Sequence, residues 1–149
     1  MGYGPIWIIL GAGVGAAGAT VAQVVNDRLT RKRELERLRL VTFETFRRQF
    51  MDDKRLHDID NKEEPLTDQE IDYYLGFFDV VGLYWKLGFV DIRLVDEVLG
   101  DSIMIAYDSD KIMKSIYEVR AGMRDKTYFE HFEDLAKELK KIQKSRVES

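Results

Sequence analysis

The sequence predicts an all-α fold: one N-terminal transmembrane helix continuing into a cytoplasmic helical bundle of about four to five helices. Three observations carry this reading. No Asp, Glu, Lys or Arg precedes Asp27, so the run from Pro5 to Val25 is long and uncharged. Beyond it, apolar residues recur at three- and four-residue intervals, the period of a helix with one buried face. The punctuation between these stretches is that of helix ends: Pro65, Gly88, Gly100 and two Thr-x-x-Glu capping boxes.

Composition narrows the function classes. A chain of 149 residues has the size of one ordinary domain and cannot hold two full catalytic ones. It has no cysteine, which excludes a disulfide scaffold, thiolate chemistry and any zinc site with sulfur ligands. Two histidines leave little for metal ligation or proton shuttling. The formal net charge of −4 hides a strong polarity. Residues 28–55 carry ten basic and five acidic side chains, residues 58–110 three and fourteen, and residues 111–149 ten and seven.

The first element, residues 1–27, reads as a transmembrane anchor. At about 1.5 Å per residue, a helix from Pro5 to Val25 spans roughly 30 Å, the hydrocarbon thickness of a bilayer. Ala17-Gly18-Ala19 has the small-x-small form of a signal-peptidase site, but no positive region precedes the apolar run. The positive charges follow it instead. Arg28, Arg31, Lys32, Arg33 and Arg37 form a basic collar suited to anionic lipid headgroups, and they orient the N-terminus outside and the body in the cytoplasm. Within the anchor, Gly13 to Gly18 matches G-x-G-x-x-G, and a nucleotide-binding enzyme is the alternative reading. Its context fails, because a second apolar strand is required where the chain reads RKRELERLRL. As a span, Gly11, Gly15, Gly18, Ala19 and Ala22 are small residues at four-residue spacing, which lets a neighbouring helix approach closely. The expectation is packing against an integral membrane partner or another copy of the chain.

Residues 28–51 continue as a basic juxtamembrane helix, with Leu35, Leu38, Thr42, Phe46 and Phe50 on one face. Residues 52–66 read as an acidic loop ending near Pro65. The remaining bundle domain, 67–149, opens with the capping box Thr67 to Glu70. There the stripe Ile71, Tyr74, Leu75, Phe78, Val81 and Trp85 predicts a helix that Gly88 stops. Asp91 caps a short helix that Gly100 ends, and Asp101 starts another along Ile105, Ile112, Ile116, Val119 and Met123. Ser102 to Tyr107 could also be read as a brief strand. A second capping box, Thr127 to Glu130, starts the last helix, with Phe132, Leu135, Ala136, Leu139 and Ile142 facing inward.

No catalytic, cofactor or metal residue emerges from the pattern. The acidic run from Asp58 fails as an EF-hand, with Lys62 and Glu63 where an oxygen ligand and the turn glycine belong. Neither His57 nor His131 lies in a Glu-x-x-His pair, and G-x-S-x-G is absent. Asp72, Asp79 and Lys86 are seven apart and share a helix face, which reads as a wet surface, a partner site or a buried ion pair. The aromatics of this helix exceed one stripe, so Tyr73, Phe77 and Tyr84, with Asp79, make a candidate partner surface. Nucleic acid is not expected as a partner. A regulator acting at the membrane surface through the basic collar is a further alternative.

Several segments in this order resemble a known family: Thr42 to Phe46, Asp79 to Asp91, Val98 to Ile103, Ile116 to Arg120 and Tyr128 to Ala136. The chain resembles, over roughly residues 40–140, an uncharacterised prokaryotic family of short single-span, membrane-anchored helical proteins, known only as a domain of unknown function. The resemblance implies an anchored helical body and transfers no catalytic residue. The expected function is that of a non-enzymatic accessory, assembly or scaffold subunit of a membrane complex, or of a protein that self-associates through its Gly/Ala-rich span.

Overall fold

The computed structural model describes the backbone of residues 6–123 and 125–148, and the side chains of residues 23–123 and 125–148. Among the described residues there are six helices and no strand: α1 (Ile6–Asp52), α2 (Lys54–Asp60), α3 (Asp68–Lys86), α4 (Ile92–Tyr107), α5 (Asp110–Met123) and α6 (Glu130–Val147). Contacts divide the chain into two units, Met1–Leu38 and Arg39–Ser149. In the first unit every described side chain, from residue 23 to 38, is exposed. Leu35 and Leu38, expected on a buried face, are among them.

In the second unit the last turns of α1 belong to the body. Phe43, Phe46 and Phe50, spaced three and four apart, are buried, and the Phe50 ring lies 5.6 Å from Phe77 and 5.9 Å from Phe78. Residues 52–66, expected as a loop, contain α2. The Asp53 carboxylate caps it by accepting from the Arg55 and Leu56 N–H groups, while Leu56 and Ile59 reach the core from among the charges. Two apolar residues three apart suffice for one buried turn, and that signal was too short to read as a period.

The capping box of α3 forms as expected. Thr67 Oγ1 accepts from the Glu70 N–H and the Glu70 carboxylate accepts from the Thr67 N–H, at 3.3 and 2.7 Å. Gly88 ends this helix in the left-handed region, at φ 78°. Gly88 N–H donates to Trp85 O and Phe89 N–H to Tyr84 O, a Schellman motif in which the Phe89 ring also meets Tyr84.

Gly100 does not end a helix. Helix α4 runs through it to Tyr107, so the brief strand is absent and the next helix starts at Asp110. At Gly100 a Cβ would lie 3.0 Å from Asp96 Oδ1 and 3.5 Å from Gln143 Nε2, so glycine here makes room rather than a turn. The changed phase also corrects the expected stripe: Ile112 and Ile116 are buried, but Ile105 and Met123 face solvent. The second capping box is not formed either. Thr127 bonds to Asp125 instead, and α6 starts after Phe129, whose φ is 55°. Phe132, Leu135, Ala136 and Leu139 of α6 are buried as expected, and Phe132 stacks near Phe78 at the centre of the core.

Candidate functional site

Helix α3 organises the body, because two of its faces are committed. One carries Phe77 and Phe78 against α1. Phe77, expected at a partner surface, is buried, with its ring 6.2 Å from Phe46. The aromatics exceed one stripe because α3 is packed from two sides, which a single helical period cannot represent.

The second face is the polar series Asp72, Asp79 and Lys86, which meets α6 and the turn before it. Tyr128 Oη donates to Asp72 Oδ1 at 2.6 Å, and burial together with that carboxylate pushes the Tyr128 phenol up to about 12. Lys86 Nζ lies 2.6 Å from Asp134 and 3.7 Å from Glu130, and Asp134 foremost holds the lysine pKa above its ordinary value. Between them, Asp79 Oδ1 accepts from the Phe132 backbone N–H at 2.9 Å. The N-cap residue Phe129 offers no side-chain acceptor, so Asp79 caps α6 from another helix. One turn further, Gly82 lets the backbones meet, since a Cβ there would lie 2.3 Å from His131 O. Asp79 therefore serves the seam between α3 and α6.

Tyr73 and Tyr84, the other two candidates, are both 38% exposed. Tyr73 Oη donates to Asp53 Oδ2 at 2.6 Å under the Arg55 guanidinium, 4.1 Å from the ring centroid. Tyr84 packs edge-on against Phe46, 5.2 Å between centroids. The collar residues Arg28, Arg31, Lys32, Arg33 and Arg37 are all exposed on α1. Gly11, Gly15, Gly18, Ala19 and Ala22 lie outside the residues whose side chains are described. Among the described residues no helix is long and apolar enough to cross a membrane; within the candidate span, residues 5–25, side chains are described only from residue 23.

Two groups of side chains escaped the sequence reading. Asp96 is the one charged residue buried among the described residues; Gln143 donates to its Oδ1 at 3.2 Å and Arg146 lies 2.6 Å from its Oδ2. The signal was present, since Asp96 stands one residue after Val95 and three before Leu99 within the apolar phase of α4. Arg120 ties the turn before α6, donating to Tyr128 O at 2.9 Å and to Glu133 Oε2 at 2.8 Å. These groups bind helices to one another. Among the described residues no group of His, Asp and Glu could hold a metal ion.

A family model for a domain of unknown function, DUF4760, matches residues 7–139. The chain belongs to that family. The match covers the helical body as far as Leu139, within α6, and reaches into the uncharged N-terminal run of this DUF4760 protein. No curated protein and no solved structure matches it.

Proposed function

We propose that this DUF4760 protein is a non-enzymatic single-pass membrane protein, with its N-terminus outside and its helical body in the cytoplasm. Its role is that of an accessory, assembly or scaffold subunit of a membrane complex, recruited by packing of the Gly/Ala-rich span. The carrying observation is the run without a charge before Asp27, followed at once by exposed cations on the same helix, α1. Positive charge flanking one side of an apolar run is held on the cytoplasmic side and attracted by anionic lipid. The internal use of Asp72, Asp79, Lys86, Arg120 and Asp96 supports a structural body, since each stabilises a junction between helices.

Membrane extraction tests the reading. The full chain in its native membrane is expected to resist both high salt and alkaline carbonate and to dissolve only in detergent. Release by salt would overturn the span and favour a surface regulator acting through the collar, because exposed charge pairs are screened. Replacement Gly15→Leu is expected to reduce association within the membrane; unchanged association would overturn the role given to the span.

A further inference from the structure

With α1 and α6 packed, α3 keeps one uncovered stripe. Tyr73, Val80 and Tyr84 are 38%, 44% and 38% exposed. Gly76 lies between them, with nothing within 4 Å of the place its Cβ would occupy. Spacings of three and four keep these residues in line along the helix. Phe46 and Phe77 form the floor of the groove, about 330 Å³, that runs beside them.

The two ends of the stripe differ in charge. At the Tyr73 end, Asp53 receives the Tyr73 hydroxyl, Asp72 lines the groove and Asp68 stands one turn before it; Arg55 is the cation stacked there. At the Tyr84 end, Arg39 donates to Gly88 O, beside the Schellman turn. The stripe is thus apolar along its length, notched near one end and oppositely charged at its two ends.

A second copy of the chain, turned end for end, supplies the matching surface. We propose that the body self-associates through α3 in an antiparallel, two-fold arrangement. Val80 of the partner subunit enters the hole bounded by Tyr73, Gly76, Phe77 and Val80, as a knob enters a hole between packed helices. Tyr73 then lies against Tyr84 of the partner subunit, and the acidic end faces Arg39 of the partner subunit. The two-fold makes each contact twice. A parallel pairing would set the acidic ends together and leave the Gly76 notch empty. This inference rests on the body alone and is independent of the proposed span.

Because the chain has no cysteine, single cysteines can report the arrangement. Full-length Tyr73→Cys and Tyr84→Cys chains are mixed in detergent and treated with a short bis-maleimide. Crosslinks between the two variants are expected to exceed those between two Tyr84→Cys chains. Adding Gly76→Leu is expected to lower the mixed yield about tenfold while raising Tm, because the notch fills, nothing lies within 4 Å of the added Cβ and a helical glycine is removed. Equal yields of the mixed and Tyr84–Tyr84 products would overturn the antiparallel pairing. An unchanged yield with Gly76→Leu would overturn the α3 surface. If Gly15→Leu alone abolishes crosslinking, association belongs to the span; the α3 inference then fails while the membrane reading stands.

Discussion

Asp79 and Gly82 show how residue-scale chemistry determines one helix junction. A carboxylate three residues from a glycine meets the start of α6, where the first N–H groups lack intrahelical acceptors. Replacing Asp79 by Ala removes an acceptor and is expected to cost about 1 kcal/mol, the usual loss for a cap. Asp79→Asn keeps an oxygen in place and should cost much less; equal losses in denaturant melts would show that charge, not capping, matters. Gly82→Ala places a methyl 2.3 Å from the His131 carbonyl. That backbone cannot retreat as a flexible side chain can, so about 1–3 kcal/mol of destabilisation is expected. Gly76→Ala is the contrasting substitution. Its Cβ enters open space within α3, and stability should rise by roughly 0.5–1 kcal/mol, read as a higher Tm.

At the scale of elements, the capping box of α3 is linked to the segment before it. Lys62 Nζ donates to both Glu70 carboxylate oxygens at 2.8 and 2.9 Å, and Glu70 in turn accepts from the Thr67 N–H. The Lys62 bond foremost, then the Thr67 N–H, lowers the Glu70 pKa from 4.5 to about 2. A folded-state pKa below the unfolded one gives stability that is present above the unfolded value and lost as pH falls through the folded one. The contribution of this clamp should therefore be full above pH 4.5 and fade toward pH 2. Carboxyl NMR checks it: Glu70 should titrate near the low end of that window in the wild type and move up in Lys62→Met. A wild-type midpoint at the ordinary glutamate value would refute the clamp. The same scale explains Tyr74, whose burial raises the phenol pKa and whose hydroxyl donates to Asp60, joining the end of α2 to α3.

At the scale of the whole molecule, charge is separated along the chain rather than balanced locally. The collar from Arg28 to Arg37 is exposed, whereas residues 58–110 carry fourteen acidic side chains. A basic residue near an anionic leaflet contributes about 1 kcal/mol, and acidic segments are repelled from the same surface. Changing Arg28, Arg31, Lys32, Arg33 and Arg37 together to Gln should leave the full chain extractable only by detergent. It should scramble its orientation, measured by protease access to the body from either side of the membrane. Unchanged orientation would remove the collar from the topology argument.

What the sequence determined by itself was local and periodic. Helix-forming stretches, the Thr67 capping box, the Gly88 stop and the inward face of α6 are all written within a few residues of where they act. They follow from capping chemistry and the 3.6-residue repeat, which need no distant partner. Tertiary structure decided what depends on a neighbour remote in the chain. Gly100 resembles a helix end until Asp96 and Gln143 show that it makes space. The Thr127 box does not form, because Thr127 bonds to Asp125 and α6 starts later, where Asp79, 53 residues from Phe132, supplies the cap. Phe77 turned inward because α3 is packed from both sides, and Tyr73, Val80 and Tyr84 were left outside for the same reason. A one-dimensional pattern records which residues share a face; only the packed body decides which faces are already taken.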